Sequence, residues 1–266
     1  MKNDLRKALE EIEYFLLDMD GTIYLSDDPI GDMANTLNFL REKGKKIIYL
    51  TNNSSKNVIK YVEKLKKLNF YADSDEVYSS ALGAVEYITD NYKGQSVHVL
   101  GTENVKEELK NKGLNVTESL HADIALLTYD VELTYEKLCN FVKCINNGAK
   151  YFATHPDACC PNVEVFLPDA GSFIKMIEVS NGFTPEVIIG KPSTVMGDNL
   201  MRRLNLAPNK FIMVGDRLHT DIKFGVNCNF YTMLVMSGET TKEVLEKSPT
   251  KPDFILDSLN DVKNYF

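Results

Sequence analysis

Asp18 and Asp20 follow a short apolar run, residues 14–17, near the start of the chain. The run predicts a buried strand, and Asp18 is then expected at the carboxyl end of that strand, where open α/β sheets bind their ligands. Two carboxylates about 4 Å apart repel each other by roughly 4 kcal/mol at an effective dielectric constant near 20, and a hard cation such as Mg²⁺ removes that repulsion. The alternative is a turn in which one of the acids caps a helix, and this stretch alone leaves both interpretations open.

Three further apolar runs also end in polar residues that suit a phosphate or a metal ion. The run 46–50 leads into a hydroxyl and two amides at a predicted helix start, where main-chain N–H groups bind anions. The run 187–189 leads into Lys191, and the run 211–214 leads into Asp216 and Asp221. Each alone has a plainer explanation, such as a helix cap or a surface lysine, but their joint occurrence favours one site for metal and phosphate. In chain order, the candidate residues are Asp18, Asp20, Thr51, Asn52, Asn53, Lys191, Asp216 and Asp221.

Strands and helices alternate along the chain, and this order predicts an α/β protein with a doubly wound parallel sheet. The middle part, residues 81–182, has its own alternation of strands and helices and is long enough for a core of its own. We therefore predict a core domain formed by residues 1–80 and 183–266, with a smaller α/β domain, residues 81–182, inserted into it.

Composition and charge narrow the classes of partner. The formal net charge of −8 over 266 residues argues against a nucleic-acid polymer but leaves a small anionic substrate open. The apolar runs are too short to span a membrane, so no membrane association is expected. Five cysteines without framework spacing, all in the second half, predict reduced thiols and a cytoplasmic location. The oligomeric state is left open, a homo-oligomer included.

The four polar segments together resemble the four sequence motifs of the haloacid dehalogenase-like (HAD) superfamily. Residues 18–22 look like the first motif, Thr51 the second, Lys191 the third, and residues 215–216 with 220–221 the fourth. The resemblance covers nearly the whole chain. The long gap between the second and third motifs looks like the large α/β cap of subfamily IIA, the NagD-like and p-nitrophenylphosphatase-like phosphatases. In that gap, Ala-Thr-His-Pro-Asp at 153–157 is similar to a cap segment that usually reads Thr-Asn-Pro-Asp, with His155 in place of the Asn.

This resemblance implies a Mg²⁺-dependent phosphatase that hydrolyses a small phosphomonoester, such as a nucleoside monophosphate or a sugar phosphate. Asp18 would be the nucleophile that forms an aspartyl-phosphate, and Asp20 would be the general acid and then the general base. The other roles that it implies are metal binding by Asp18, Asp20, Asp216 and Asp221, phosphate binding by Thr51, Asn52, Asn53 and Lys191, and substrate selection by His155 and Asp157 in the cap.

Two other functions fit the same residues less well. A phosphomutase or phosphotransferase of the same fold would share the aspartyl-phosphate, and only the fate of the phosphate would separate it from a phosphatase. A non-catalytic protein that binds a phosphorylated metabolite is the alternative from another class. The pair Asp18 and Asp20 counts against it, because binding alone needs no acid or base.

Overall fold

A computed structural model of the chain describes residues 4–160 and 165–266. Its strands are β1 Tyr14–Leu17, β2 Tyr24–Leu25, β3 Asp28–Pro29, β4 Lys46–Thr51, β5 Val77–Ser79, β6 Ser96–Leu100, β7 Asn115–Val116, β8 Ile124–Leu127, β9 Lys150–Ala153, β10 Cys159–Cys160, β11 Leu167–Pro168, β12 Val187–Ile188, β13 Phe211–Gly215, β14 Tyr231–Val235 and β15 Phe254–Leu256.

The helices alternate with these strands. They are α1 Leu5–Glu11, α2 Met33–Glu42, α3 Val58–Lys67, α4 Ser80–Asn91, α5 Glu103–Asn111, α6 Tyr135–Asn146, α7 Ala170–Asn181, α8 Val195–Leu204, α9 Lys223–Asn227 and α10 Lys242–Lys247. Short 3₁₀ segments lie at Ser74–Glu76, Pro208–Lys210 and Leu259–Tyr265, and Leu218–Ile222 forms a π-helical turn.

The described residues form two compact units. The first comprises those within Met1–Thr51, Val58–Tyr78 and Lys191–Phe266, and the second those within Asn52–Asn57 and Ser79–Gly190.

The first unit is built on a six-stranded sheet in the order β15-β14-β13-β1-β4-β5. Strand β1 lies between β13 and β4, pairs with both in parallel, and is buried over its whole length. The chain moves outward from β1 to β4 and β5 on one side, and from β13 to β14 and β15 on the other. This reversal of strand order next to β1 is the place where open parallel sheets bind ligands.

The second unit has its own five-stranded sheet, in the order β12-β9-β8-β6-β7, and its pairings are parallel. Helices α6 and α7 contribute to its core through Phe141, Phe173 and Ile177, among other apolar side chains. Buried strands that alternate with helices are what the sequence pattern indicates for both units, and the prediction of a parallel, doubly wound α/β fold is confirmed.

The bounds of the second unit differ from the predicted 81–182 by short segments. Residues 183–190 join it because β12 pairs with β9, and Asn52–Asn57 joins it although this loop follows β4 of the first unit in sequence. Hydrogen bonds explain the second difference, since Ser54 accepts one from the main chain of Tyr129 and Thr102 donates one to the Ser55 carbonyl. That the second unit acts as a cap stays a prediction.

Two further features bear on the expected environment of the chain. Within residues 4–160 and 165–266, no helix combines the length and the apolar character needed to cross a membrane. The thiols of Cys139, Cys144, Cys159 and Cys228 form no disulfide.

Candidate active site

Two paired strands bring the first and last acidic motifs of the sequence together. Strands β1 and β13 run in parallel register, with Leu17 opposite Val214, so that Asp18 and Asp216 emerge at the same edge of the sheet. The Asp18 N–H extends the ladder by donating to the Val214 carbonyl at 2.9 Å. The prediction that these carboxylates follow neighbouring strand ends therefore has a direct cause in the register of the sheet.

Three carboxylates form a tight cluster at this edge. One carboxylate oxygen from each of Asp18, Asp216 and Asp221 lies within 4.8 Å of the other two. Asp216 and Asp221 are buried, and Asp18 is partly accessible from solvent. Three acids at such distances repel one another strongly unless cations neutralise them.

Lys191 supplies one positive charge inside this cluster. Its Nζ lies 2.5 Å from an oxygen of Asp18 and 2.7 Å from an oxygen of Asp221. The ammonium also donates to the Leu50 carbonyl at 3.3 Å, and only 2% of the residue is exposed. The lysine is thus buried among its acceptors, as a charge in the interior of a protein has to be.

The pKa shifts in the cluster result from burial first and from neighbouring charges second. Burial raises the pKa of Asp18, and the carboxylates of Asp221 and Asp216 raise it further. Lys191 lowers it, but by less, so the pKa of Asp18 lies above its ordinary value. Burial and the nearby Asp221 also raise the pKa of Asp216. Burial alone would lower the pKa of Lys191, but Asp18 and Asp221 outweigh it and keep the ammonium charged.

Main-chain groups and two glycines hold the acids in place. Asp216 accepts a hydrogen bond of 2.7 Å from the Glu239 N–H, and Asp221 accepts one of 3.1 Å from the Arg217 N–H. Gly21 has a φ of +85°, and a Cβ there would lie 2.5 Å from Asp216 Oδ2. A Cβ on Gly215 would lie 2.3 Å from that of Asp221, so both positions require glycine for the close approach of an acid.

The donor set of this cluster fits a hard divalent cation. All three donors are carboxylate oxygens. Their mutual repulsion adds to the effect of burial in raising the pKa of Asp18 and Asp216, and a bound cation would relieve it. Mg²⁺ prefers such oxygen ligands and retains several waters of its own, so that three protein carboxylates suffice.

Asp20 and Thr51 follow β1 and end β4, respectively, and neither belongs to the acid cluster. Asp20 is exposed and begins the short hairpin of β2 and β3, to which a bridge with Tyr24 connects it. Partial burial of its carboxyl group raises the pKa of Asp20, and the nearby Lys64 opposes this shift. A partly desolvated carboxyl group that solvent still reaches suits proton transfer. Thr51 ends β4 and is buried.

The remaining predicted site residues belong to the second unit. Asn52 donates from Nδ2 to Asp157 Oδ2 at 3.1 Å, and Asn53 Oδ1 accepts from both the N–H and the hydroxyl of Ser55. His155 differs from the expectation of a substrate-facing side chain, because it is completely buried and its Nε2 lies 2.8 Å from an oxygen of Asp169. The structure therefore joins Asn52 to Asp157 and places His155 beneath the loop surface.

Arg217 and Glu239 are residues of the site that the sequence motifs do not indicate. Arg217 Nε lies 2.9 Å from a carboxylate oxygen of Glu239. Burial lowers the pKa of Arg217, but Glu239 and the three clustered acids raise it by more. The Glu239 main chain holds Asp216. The only sequence signal for this contact is the Ser-Gly pair at 237–238 just after β14, a weak sign of a tight turn.

Comparisons with known proteins agree with this geometry. A family model described as haloacid dehalogenase-like hydrolase matches residues 15–115, and a second, described as HAD-hydrolase-like, matches residues 188–262. An acid sugar phosphatase of Staphylococcus epidermidis is 32% identical over 252 residues, which cover 95% of this chain and 97% of that protein.

Solved structures show the same likeness over nearly the whole chain. A 4-nitrophenylphosphatase from Thermotoga maritima is 37% identical, with a TM-score of 0.92 over 97% of this chain and 98% of that one. A p-nitrophenyl phosphatase from Archaeoglobus fulgidus is 27% identical, with a TM-score of 0.90 over 96% of this chain and 100% of that one.

Proposed function

This chain belongs to the haloacid dehalogenase-like hydrolases and is a phosphatase, and we propose that it is a Mg²⁺-dependent phosphomonoesterase that works through an aspartyl-phosphate. The observation that carries the proposal is the cluster of Asp18, Asp216 and Asp221 around the buried Lys191. It combines a carboxylate at a strand end with oxygen ligands for a metal and a fixed cation for a phosphate.

Asp18 is the nucleophile of the proposed reaction. One of its carboxylate oxygens attacks phosphorus, the ester P–O bond breaks, and the phosphoryl group is transferred to Asp18. Asp20 gives its proton to the leaving alcohol oxygen, for which its raised pKa and its accessibility suit it. In the second step, the Asp20 carboxylate takes a proton from water as that water attacks phosphorus, which releases inorganic phosphate and restores Asp18.

A metal ion would be held by the carboxylates of Asp18, Asp216 and Asp221 and by the main-chain carbonyl of Asp20. When bound, Mg²⁺ neutralises charge that would otherwise keep an anionic nucleophile from an anionic substrate. Asp221 also keeps Lys191 in place by a contact of 2.7 Å.

Lys191, Thr51, Asn52 and Asn53 bind the phosphoryl oxygens in this proposal. Lys191 offers a charge that burial cannot remove, since the acids beside it raise its pKa. The main-chain N–H groups of the loop after Thr51 are suited to the charge that develops on those oxygens in the transition state.

The substrate is a small phosphorylated metabolite, and sugar phosphates are the first group to test because of the acid sugar phosphatases among the relatives. The second unit serves as a cap that restricts water and contacts the leaving group. Asp157, which is partly exposed and bonded to Asn52, is its proposed selectivity residue.

A screen of the purified protein tests this function. Inorganic phosphate is measured after incubation with p-nitrophenyl phosphate, sugar phosphates and nucleoside monophosphates, with Mg²⁺ and with Asp18→Asn as the matched inactive control. Release of phosphate by the wild type alone supports the proposal. Isomerisation of a sugar phosphate without release would instead identify a phosphomutase, and no turnover on any ester would contradict the proposal.

A further inference from the structure

Four polar side chains form a buried chain of hydrogen bonds inside the second unit. Three are completely inaccessible to solvent, and the fourth is 4% exposed. The contacts are 2.9 Å from Ser54 Oγ to Thr154 Oγ1, 3.1 Å from Thr154 Oγ1 to His155 Nδ1, and 2.8 Å from His155 Nε2 to Asp169 Oδ1. Polar groups so deeply buried require partners, and here each side chain has one on either side.

The direction of these hydrogen bonds follows from their two ends. The Asp169 carboxylate can only accept, so His155 Nε2–H donates to it. At the other end, the Tyr129 N–H donates to Ser54 Oγ at 2.9 Å. When Nε2 is the only protonated nitrogen of the ring, Nδ1 accepts from the Thr154 hydroxyl, and the Ser54 hydroxyl is left to donate to Thr154. In this order, which we call the His155 chain, every hydroxyl proton and both ring nitrogens are used.

Ser54 connects the His155 chain to the loop Asn52–Asn57. Other contacts also tie this loop to the same unit: Asn52 Nδ2 donates to Asp157, the Ser80 hydroxyl donates to the Asn52 carbonyl, and the Thr102 hydroxyl donates to the Ser55 carbonyl at 3.1 Å. The main chain at Gly190 also approaches so closely that a Cβ there would lie 2.5 Å from Asn52 Oδ1. The loop that carries Asn52 is thus fixed from beneath by groups of residues 154–157.

We propose that His155 and Asp169 are positioning residues that hold the loop Asn52–Asn57 in the geometry for binding phosphate, through Thr154 and Ser54. The inference rests on the proposed function, which places Asn52 and Asn53 at the phosphoryl oxygens. A side chain with no exposed surface that is bonded on both ring nitrogens does not reach a leaving group. His155 therefore affects the binding of the phosphoryl group, which all substrates share, and also the binding of inorganic phosphate.

Two substitutions at one position separate the two ends of the chain. In His155→Asn, the amide oxygen lies about where Nδ1 lies and accepts from Thr154, but the contact with Asp169 is lost. In His155→Gln, the amide nitrogen reaches Asp169, but the acceptor for Thr154 is lost. His121→Gln makes the same change at an exposed histidine of the same unit and is the matched control.

We measure kcat and KM on p-nitrophenyl phosphate and on a sugar phosphate, inhibition by inorganic phosphate, and the thermal midpoint of each variant. His155→Gln is expected to lower kcat/KM on both substrates by the same factor, about tenfold, and to weaken phosphate inhibition similarly, as the loss of one hydrogen bond predicts. His155→Asn should keep these values within about threefold although it loses the bond to a buried carboxylate and is the less stable of the two. Of the two variants, His155→Gln is thus expected to be the less active and His155→Asn the less stable.

Other outcomes overturn the inference. If His155→Gln lowered kcat/KM by a different factor for each substrate and left phosphate inhibition unchanged, His155 would contact the leaving group. A fall in the thermal midpoint of His155→Gln with unchanged kinetics would mean that the His155 chain only stabilises the fold. If a variant at 155 does not fold, Ser54→Ala breaks the chain at its other end, with the effect expected for His155→Gln. A wild type that releases no phosphate would overturn the proposed function itself, while titration calorimetry with inorganic phosphate would still test the positioning role.

Discussion

Replacement of Lys191 by methionine tests the charge balance of the acid cluster. The ammonium lies 2.5 Å from Asp18 and 2.7 Å from Asp221, and the residue is 2% exposed. Methionine fills a similar volume but has no charge, so that Lys191→Met leaves two carboxylates near a third without their cation. Removal of one partner from a buried ion pair costs about 3–5 kcal/mol of unfolding free energy. For a protein of this size, the midpoint of thermal unfolding should fall by about 6–20 °C in the absence of metal.

The loss of stability in Lys191→Met should depend on pH in a defined direction. Lys191 is the group that most lowers the pKa of Asp18, so its removal raises that pKa further above the ordinary value of 3.8. A carboxyl group whose pKa is higher in the folded state binds its proton more tightly there, and the folded state loses stability as pH rises from 3.8 through the folded pKa. In the wild type the pKa of Asp18 is already about 8, so both proteins lose this stability in parallel up to that pH, and the deficit of Lys191→Met should be smaller near pH 6 than near pH 9. Mg²⁺ should restore part of it at pH 9, because binding to the folded state alone stabilises that state.

Lys175→Met is the matched control. Lys175 forms an ion pair of 2.6 Å with Glu178, but its side chain is 74% exposed, and such pairs contribute about 0–1 kcal/mol. Unfolding is followed by circular dichroism at pH 6 and pH 9, with chelator and with Mg²⁺. Equal midpoints for the two variants, or a deficit at Lys191 that is the same at both pH values, would refute the assignment of Lys191 as the cation of the cluster.

Three further predictions concern catalysis. Asp18→Asn should fold as the wild type does and lose hydrolysis of p-nitrophenyl phosphate, and near-normal rates would rule Asp18 out as the nucleophile. A chelator should abolish phosphate release and Mg²⁺ should restore it, with Ca²⁺ a poor substitute because its coordination is larger and looser; undiminished activity in excess chelator would contradict the metal assignment. Asp157→Ala should raise the activation free energy for kcat/KM by about 1–3 kcal/mol more on the best sugar phosphate than on p-nitrophenyl phosphate. Equal changes on both substrates would mean that Asp157 acts on the loop alone.

The sheet and the acid cluster follow from simple features of the sequence. Fully apolar runs that alternate with helices predict parallel strands, and parallel strands present their carboxyl ends at one edge of the sheet. Acids that directly follow such runs, as Asp18 and Asp216 do, must therefore meet if their strands are neighbours. The register of β1 and β13 makes them neighbours.

Other parts of the site could not be predicted in this way. The loop Asn52–Asn57 follows a strand of the first unit, and its membership of the second depends on Tyr129 and Thr102, which lie far away in sequence. The resemblance of residues 153–157 to a cap segment of subfamily IIA predicts that His155 lies near the substrate. Its burial depends on Asp169, fourteen residues later, and no local pattern indicates such a partner. The Glu239 N–H that holds Asp216 is a main-chain group, which any residue would supply.

Detection of the phosphoryl group on Asp18 tests the proposed mechanism most directly. Asp20→Asn lacks the base that activates water, so the aspartyl-phosphate should accumulate when this variant turns over p-nitrophenyl phosphate with Mg²⁺. The reaction is quenched in acid and digested, and mass spectrometry is used to find the modified peptide, with Asp18→Asn as the control. We expect one phosphoryl group on the peptide that contains Asp18, located at that residue, and none in the control. Turnover with an unmodified Asp18, or a phosphoryl group on another residue, would contradict the mechanism.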